Sequence, residues 1–406
     1  MDADLIIVGA GMVGSTLALA LQDSGLDILL IDAGPLEVQP FDREGAFEPR
    51  VSALSAASQR ILERVGAWPG IAGRRACAYT EMDVWDGSGT GGVHFTAASV
   101  HAEALGHIVE NRVVQDALLE ALRRGTRVRL QGRARLEQVR RDGEAWHLAL
   151  AGGEELRAPL LVAADGAQSL VRRLTGSETR EWDYLHHAIV TSVRCDAPHR
   201  RTAWQRFTDD GPLAFLPLER GDDLHWCSIV WSVTEREAER LMVCDDEAFA
   251  RALGTAFEQR LGAVLEVDSR LCIPLRQRHA KRYVQPGLAL IGDAAHTIHP
   301  LAGQGVNLGL LDAAVLAEVI LVARARGQAP GDIRVLSRFE RRRMPHNLAM
   351  MGAMEGFERL FQADAPAVRW LRNTGLKAVE SVPAMKAMFV RQALGLTGDL
   401  PPLARA

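Results

Sequence analysis

Three side chains that could bind a metal or transfer a proton follow an apolar run near residue 290. In the stretch IGDAAHTIHPLAGQGVNLG (291–309) they are Asp293, His296 and His299, three residues apart. On one helix face, such groups could bind a transition metal or act as a nucleophile and its base. Pro300 and the glycines after it break a helix through all three, because proline lacks an N–H and clashes with the preceding turn. We therefore predict that these residues bind no metal. Instead, we predict that the backbone of the Gly-Gln-Gly turn helps to hold a bound ligand.

The first forty residues carry the pattern of a dinucleotide-binding unit. An apolar run of strand length, Leu5–Val8, leads into GAGMVG, in which Gly9, Gly11 and Gly14 form G-x-G-x-x-G. Gly9 permits the tight turn, Gly11 lets the backbone approach a pyrophosphate, and Gly14 lets the next helix pack on the strand. Free N–H groups at the start of that helix stabilise phosphate charge. A second apolar strand ends at Asp32, where a carboxylate can accept hydrogen bonds from ribose hydroxyls.

A second G-x-G-x-x-G match, GSGTGG at residues 87–92, serves as a control. It lies between two strand-like runs, opens no helical pattern and has no acidic residue at the expected distance. We therefore interpret it as the loop of a β-hairpin.

Residues 160–173, LLVAADGAQSLVRR, again place a polar turn after an apolar strand. The strand is predicted at 160–164, Asp165 and Gly166 form the turn, and Ser169 and Arg172 open a helix. Because parallel strands end at one edge of a sheet, this turn should lie beside the first glycine turn.

The stretch from residue 288 repeats the arrangement. The apolar strand LALI ends at Gly292 and Asp293, and a helical pattern covers 305–323. An aspartate at such a strand end can accept a hydrogen bond from a sugar hydroxyl without competing with the phosphate charge. Three strand ends are thus predicted to face one nucleotide.

These blocks together resemble the signature set of a known enzyme family. The N-terminal glycine motif, ADGAQSLVRR and IGDAAHTIHPLAGQGVNLG resemble the flavin-dependent aromatic hydroxylases, which are class A monooxygenases. Within that family, RVSALSAAS, GHIVEN, WDYLHHAIV, AFLPL and CSIVWS are similar to the ubiquinone-biosynthesis hydroxylases, most closely the branch that acts on 2-polyprenylphenols. The resemblance covers nearly the whole chain.

The resemblance implies bound FAD and a set of residues that contact it. Its adenosine and pyrophosphate part would be bound by Gly9, Gly11, Gly14 and Asp32. A helix that begins near Gly305 would direct free N–H groups at the negative edge of the reduced flavin ring. The remaining residues implied as cofactor contacts are Arg50, Gln115, Asp165, Gly166, Gly292, Asp293, Pro300, Gly303, Gln304, Gly305, Val306 and Asn307.

The implied reaction is hydroxylation of the aromatic ring of a polyprenylated phenol in ubiquinone biosynthesis. It uses O2 and forms a flavin C4a-hydroperoxide, after reduction by NAD(P)H, which would dock transiently, or by a partner reductant. There are three alternatives. The enzyme could hydroxylate another ring position, or the protein could be a non-hydroxylating FAD oxidoreductase or a structural subunit of a quinone-synthesising assembly. No catalytic side chain is assigned. His186, His187 and His299 are candidates to contact the phenol, although a structural role is more typical of each.

The predicted fold is α/β, with a Rossmann-like FAD-binding domain of the glutathione-reductase type, an antiparallel-sheet substrate domain and a helical C-terminus. Alternating strand-like runs between residues 181 and 270 indicate the sheet. The C-terminal amphipathic pattern indicates packed helices, a subunit interface or a surface that meets the membrane. The predicted segments are 1–75, 100–180 and 270–345 for FAD binding, 76–99 and 181–269 for substrate, and 346–406 for the C-terminal helices.

Composition limits the partners. A formal net charge of −4 and the absence of a long basic stretch argue against nucleic-acid binding. Five scattered cysteines without C-x-x-C spacing indicate no disulfide framework. No signal peptide is apparent, and no apolar run approaches the ~18 residues of a membrane span. We expect a cytoplasmic protein, with peripheral contact at the inner membrane, other ubiquinone-biosynthesis proteins and a homo-oligomer left open.

Overall fold

The computed structural model describes residues 1–405 except Ser88, Thr90, Thr126, 299–303 and 363–365. In chain order, the first strands are Leu5–Val8 (β1), Ile28–Ile31 (β2), Val51–Leu54 (β3), Cys77–Tyr79 (β4), Glu81–Asp86 (β5), Gly92–Thr96 (β6), Gly106–Glu110 (β7), Arg129–Gln131 (β8), Leu136–Asp142 (β9), Ala145–Leu150 (β10) and Glu155–Ala158 (β11). The later strands are Leu160–Ala163 (β12), Thr179–Cys195 (β13), Thr202–Thr208 (β14), Gly211–Pro217 (β15), Trp226–Thr234 (β16), Val264–Val267 (β17), Leu271–Ala280 (β18), Val284–Gln285 (β19), Leu288–Leu290 (β20) and His296–Thr297 (β21).

The helices are concentrated near the N-terminus and after residue 300. They are Met12–Ala20 (α1), Ala56–Arg64 (α2), Trp68–Ala72 (α3), Asn111–Arg123 (α4), Leu170–Leu174 (α5), Glu235–Val243 (α6), Asp246–Ala256 (α7), Gln304–Ala325 (α8), Ile333–Gln362 (α9), Pro366–Ser381 (α10) and Pro383–Ala393 (α11). The C-terminal part is helical as predicted, and its first long helix already begins at Ile333.

A mostly parallel sheet forms the nucleotide-binding half, in the order β19-β20-β12-β1-β2-β8. β1, β2 and β12 are buried along their whole length, as continuous apolar runs predict for strands covered on both faces. β1 pairs in parallel with β2 and with β12, and β12 pairs in parallel with β20. The three predicted polar turns therefore follow neighbouring strands at one edge of the sheet.

Two glycines at the first turn have steric reasons to be glycine. Gly9 has a φ of +105°, a conformation that side chains rarely adopt. A Cβ added to Gly14 would lie 1.9 Å from the carbonyl oxygen of Gly9. The close packing of α1 on β1 therefore depends on Gly14, as the motif predicts.

The second large sheet has the order β21-β18-β13-β16-β15-β14-β5-β6, with β17 also paired to β13. Its pairs are antiparallel, as predicted, except for the parallel pair of β5 with β14. β5 and β6 form an antiparallel hairpin, which confirms the interpretation of the second glycine motif as a hairpin loop. The proposed segment boundaries stay a prediction, although β18, assigned by sequence to the FAD-binding part, pairs within this sheet.

Two three-stranded sheets complete the sheet structure of the described residues. The first, in the order β3-β7-β4, contributes Ala53 and Ile108 to a hydrophobic cluster with the large sheet. The second, in the order β11-β10-β9, packs Leu148 and Leu156 into the core of the nucleotide-binding half.

The expectation that no apolar run approaches the length of a membrane span is wrong for α8. Its residues Gly305–Ala325 are long and apolar enough to cross a membrane, with a mean hydropathy of 2.0. The sequence pattern hid this because Asp312 and Glu318 interrupt the apolar letters. Since 78% of the window is buried and the helix packs against α1, α2 and α9, we interpret α8 as a core helix.

Candidate functional site

A cavity of about 580 Å³ lies between the edge of the parallel sheet and one face of the large sheet. The residues on its nucleotide-binding side come from turns that follow the parallel strands and from the start of α8. They include Gly11, Met12, Val13, Arg50, Gly166, Asp293, Gly305 and Val306. The opposite wall is built by β13, β14, β15, β16 and β18. The two halves of the fold thus enclose one space.

The start of α1 faces this cavity without a side-chain cap. Gly11 is the N-cap residue, makes no side-chain hydrogen bond and is followed by a first turn without acidic residues. Gly11, Met12 and Val13 line the cavity. A Cβ added to Gly11 would have no heavy atom within 4 Å, so that position opens to free space. Unsatisfied N–H groups and the helix dipole make this a site for an anion.

Asp32 stabilises the glycine turn itself. Its carboxylate accepts hydrogen bonds from the backbone N–H of Ala10 at 2.7 Å and of Gly34 at 2.8 Å. Asp32 is not among the residues that line the described cavity. Its predicted contact with a ribose stays a prediction.

Asp165 and Gly166 have different roles at the second turn. The Asp165 carboxylate accepts from the N–H groups of Leu170 at 2.8 Å and Val171 at 3.1 Å, and so caps α5. Gly166 has a φ of +81° and lines the cavity. The backbone of this turn, more than the carboxylate, therefore faces the cavity.

Arg172 joins this turn to the next one. Its guanidinium donates to the carbonyl oxygen of Ala294 at 2.8 Å and to that of Ala167 at 2.7 Å. Arg172 is buried, and desolvation, together with the nearby Arg278 charge, lowers its pKa. The arginine that the sequence places at the start of α5 thus fixes the position of the turn that carries Asp293.

Asp293 lies in a single 3₁₀ turn, Gly292–Ala294, and lines the cavity. Gly292 itself does not line the cavity, but it has a φ of +58° and shapes the turn. Burial raises the pKa of the Asp293 carboxyl, and nearby positive charge, including that of Arg50, opposes the rise. The carboxyl is therefore suited to hydrogen bonding with a hydroxyl group of a ligand.

The start of α8 also faces the cavity, through Gly305 and Val306. Asn307 points elsewhere: its side-chain oxygen accepts from Ser55 N–H at 3.0 Å and from the Ser58 hydroxyl at 2.6 Å. Its amide group donates to the carbonyl oxygen of Ala53 at 2.8 Å. Asn307 therefore ties α8 to β3 and α2. Pro300 and Gly303 lie outside the described residues, as does the Gln304 side chain.

The cavity holds Arg50 but not Gln115. Gln115 is exposed on α4, one turn beyond Asn111, which does line the cavity. Asn111 accepts a hydrogen bond from the Ser52 hydroxyl at 2.6 Å, and Ser52 also lines the cavity. The sequence analysis assigned no role to Asn111 or Ser52, and the related family often has an arginine near residue 111 where this chain has asparagine. The role predicted for Gln115 stays a prediction.

Two of the three candidate histidines do not line the cavity. His186 and His187 lie in β13, beside a bulge opposite β18, and neither is a lining residue. His186 Nδ1 lies 2.8 Å from the carbonyl oxygen of Tyr184. His299 falls outside the described residues. Among the residues that the structure describes, no group of three or more His, Cys, Asp or Glu could hold a metal ion.

His296 contacts Asp312, which lies in the middle of α8. Its Nε2 lies 2.5 Å from one carboxylate oxygen of Asp312, and Arg343 Nε donates to the other at 2.7 Å. Asn347 Nδ2 donates to the same carboxylate at 3.2 Å. Burial raises the pKa of Asp312, but the charges of His296 and Arg343 outweigh it and hold the pKa well below its usual range. The sequence did not reveal this cluster, because its members lie in β21, α8 and α9.

A second pocket of about 530 Å³ adjoins the cavity and shares Gln168, Arg276 and Arg278 with it. Its lining holds four arginines and two glutamates, together with neutral polar residues. The charged residues are Arg172, Arg173, Arg276, Arg278, Glu178 and Glu181. The pocket therefore carries an excess of positive charge next to the cavity.

Comparison with known proteins identifies the cofactor. The model of a family described as "FAD binding domain" matches residues 2–353. The chain belongs to this family. It is 39% identical over 393 residues to the 3-demethoxyubiquinol 3-hydroxylase of Escherichia coli K12, covering 97% of this chain and 98% of the relative. It is 34% identical to the human mitochondrial ubiquinone biosynthesis monooxygenase COQ6, covering 95% and 91%.

A solved structure supports the fold. The p-nitrophenol 4-monooxygenase PnpA of Pseudomonas putida DLL-E4 aligns with a TM-score of 0.77 over 96% of this chain and 98% of that one, at 21% identity. That likeness concerns the fold alone. With the family and the relatives, the predicted class is confirmed: the chain is an FAD-dependent aromatic monooxygenase.

The residues around the cavity fit FAD. The uncapped start of α1 offers N–H groups to a pyrophosphate. Gly11, Gly166 and Gly305 all line the cavity, and a Cβ on the first two would meet no heavy atom within 4 Å. A flat ligand can therefore approach the backbone at these turns.

Proposed function

We propose that the protein hydroxylates the aromatic ring of a polyprenylated phenol or hydroquinone in ubiquinone biosynthesis. The observation that carries this proposal is the single cavity. One side consists of the cofactor-facing turns, and the other is a wall of largely apolar side chains from the large sheet. Such a space can hold an apolar ring against a flavin.

The protein groups in this proposal bind, orient and exclude water. Bound FAD supplies the redox chemistry, in which NAD(P)H gives two electrons, one oxygen atom of O2 enters the ring and the other leaves as water. The N–H groups at the start of α1 would hold the pyrophosphate, and Asp293 would accept a hydrogen bond from a hydroxyl of the flavin side chain. The start of α8, at Gly305 and Val306, would place N–H groups where they stabilise negative charge on the flavin. The apolar wall keeps water from the reacting atoms.

The sequence contains no second dinucleotide-binding unit, so NAD(P)H needs another kind of site. We infer that it docks in the second pocket, which is lined by four arginines. The excess of positive charge there suits a pyrophosphate. The residues it shares with the cavity, Gln168, Arg276 and Arg278, give a nicotinamide a short path to the flavin.

The relatives support one ring position as the first candidate. The 39% identity with a protein named for the 3-position of demethoxyubiquinol favours that substrate class. Hydroxylation of a 2-polyprenylphenol, to which the sequence motifs were most similar, is the second candidate.

Deleting the gene in the native organism and profiling its quinone lipids tests both candidates. We expect ubiquinone to fall and a prenylated precursor that lacks one ring oxygen to accumulate. Demethoxyubiquinone would identify the first candidate, and polyprenylphenol the second. Ubiquinone should return with a plasmid copy of the natural gene, but not with a copy carrying Gly14→Ala. Unchanged ubiquinone without a precursor would contradict the proposal.

We also propose that the C-terminal helices contact the membrane from which such a substrate comes. Val382, Met385 and Met388 are 41%, 37% and 59% exposed around α11. Arg391, exposed on the same helix, can meet anionic lipid headgroups, whereas Lys386 is paired with Glu380 at 2.9 Å.

A further inference from the structure

The cavity lining from β13, β14, β15 and β16 contains two polar side chains, Gln205 on β14 and Ser232 on β16. The other lining residues of these four strands, and those of β18 before its arginines, are apolar. They are Ala188, Val190, Pro212, Ala214, Leu216, Val230, Ile273, Pro274 and Leu275. At the edge of the sheet, β21 adds Thr297, whose hydroxyl donates to the carbonyl oxygen of Asp293 at 3.4 Å. Gln205 and Ser232 are therefore the polar side chains in the central, apolar part of the wall.

Neither polar group is satisfied by the protein. Within the part of the chain that the structure describes, the side chains of Gln205 and Ser232 form no hydrogen bond, whereas Ser52 in the same cavity bonds to Asn111. Gln205 is 7% exposed and Ser232 is 2% exposed. Neither side chain is among the buried polar groups that lack a partner, so their polar atoms are reachable from the cavity that they line. A carboxamide has two donors and an acceptor, and a hydroxyl can donate and accept. Both groups are therefore free to form hydrogen bonds with a ligand in the cavity.

Their register places them on either side of an apolar patch. Gln205 pairs with Ala214, Ala214 pairs with Val230, and Ser232 follows Val230 on the same face of β16. Two strand spacings separate β14 from β16, which is roughly 10 Å. An aromatic ring lying on Ala214 and Val230 would have one polar side chain beyond each of its sides.

We propose that Gln205 and Ser232 bind the oxygen substituents of the substrate ring, and so select which ring carbon faces the flavin. The inference rests on the proposed function. Gln205 can donate and accept, which suits a ring hydroxyl, while the Ser232 hydroxyl can donate to an ether oxygen such as that of a methoxy group. A site built to hydrogen-bond a substituent rejects an analogue without it far more strongly than an apolar site does.

The test uses the FAD-loaded protein and its Gln205→Met and Ser232→Ala variants. Met keeps the length of the side chain but removes its hydrogen bonds, and Ala removes only a hydroxyl. The matched control is Ser228→Ala. Ser228 also lies on β16, is 0% exposed and has a hydroxyl without a partner among the described residues, but it does not line the cavity.

Binding is measured from the change in flavin absorbance. One ligand pair is a short-tailed prenylphenol and its analogue without the hydroxyl, and a second pair differs by one methoxy group. We expect the natural protein to prefer the oxygenated member of each pair by about tenfold or more. Gln205→Met should bring the hydroxyl preference close to one, and Ser232→Ala should do the same for the methoxy preference. Ser228→Ala should retain both preferences.

Thermal unfolding of the ligand-free protein separates this role from a structural one. Removing a polar group that faces the cavity and has no partner in the described protein should leave the melting temperature nearly unchanged in both cavity variants. Retained preferences in these variants, or an equal loss in Ser228→Ala, would overturn the inference while the proposed function stands. A natural protein that binds neither ligand pair would overturn both.

Discussion

Single residues in this protein serve either the cofactor or the scaffold, and neighbouring positions of one motif differ in this respect. A side chain at position 11 would enter the free space of the cavity. At position 14 only glycine fits, because the backbone of Gly9 lies against it. Asp32 and Asp165 likewise hold backbone turns, and Asp293 faces the cavity. The sequence motifs predict that all of these residues are required, but not which of them contact the cofactor and which stabilise the backbone.

The two glycines give a matched pair of variants. Gly14→Ala should prevent α1 from packing on β1, because its Cβ would meet a backbone oxygen, and should lower both the melting temperature and FAD content. Gly11→Ala should leave the melting temperature of the FAD-free protein nearly unchanged and weaken FAD binding about tenfold or more, since its methyl group enters the cavity. Thermal unfolding and FAD titration measure both effects. Equal destabilisation by the two changes would contradict this division of roles.

His279 gives the stability a dependence on pH. Burial lowers the pKa of His279 to about 4, and the His296 and Arg180 charges act in the same direction. The unfolded chain takes up this proton near pH 6.5, so between pH 6.5 and pH 4 it binds more protons than the folded protein. The free energy of unfolding should therefore fall through this window as the pH is lowered, by about 3 kcal/mol for this group.

Denaturant unfolding at pH 7 and pH 5 measures the upper part of this window, in which His279 should account for about 2 kcal/mol. His279→Gln should make the fall smaller, whereas His101→Asn, at an exposed histidine with a φ of 56°, should retain it. The same fall in all three proteins would exclude His279 as its source.

At the scale of elements, the site depends on how α8 is attached to the parts around it. Asn307 binds β3 and the start of α2, and Asp312 binds β21 and α9. The sequence predicted the helix and the turns, because apolar runs and glycine spacing are local signals. It could not predict these attachments, whose partners lie 16 to 254 residues away along the chain. The pairing of β18 with β13 was missed for the same reason.

Asn307→Ala should loosen the start of α8. The change removes three hydrogen bonds and leaves the Ser55 N–H, the Ser58 hydroxyl and the Ala53 carbonyl without this partner. We expect the free energy of unfolding to fall by about 2–4 kcal/mol, and FAD affinity to fall with it. The control is Gln59→Ala, which removes only an exposed contact with Glu63 on α2. A folded variant with unchanged FAD affinity would show that the start of α8 is fixed by other contacts.

At the scale of the whole molecule, the two large sheets share one cavity, and the C-terminal helices pack at one edge of the second sheet. Phe361 of α9 stacks on Phe207 of β14, with ring centroids 3.6 Å apart. α10 packs along β6, and α11 contacts the segment just after it. The helices that carry the exposed apolar side chains are thus attached directly to the substrate-facing sheet.

If these helices meet the membrane, Met388→Glu combined with Val382→Glu should reduce sedimentation with vesicles of phosphatidylethanolamine and phosphatidylglycerol several-fold. Val243→Glu, at an 86% exposed apolar residue of α6, is the control and should bind vesicles like the natural protein. Equal binding by all three proteins would show that lipid contact, where it occurs, does not use α11.

Asp312 also has a consequence while the protein is being made. As α8 leaves the ribosome, its 21 residues Gly305–Ala325 present the length and hydropathy that the membrane-insertion machinery accepts. An aspartate near the middle of such a segment opposes insertion by about 3 kcal/mol, and Glu318 adds a second charge. The carboxylate that contacts His296 and Arg343 in the folded protein is thus also a group that disfavours transfer of this helix into a membrane.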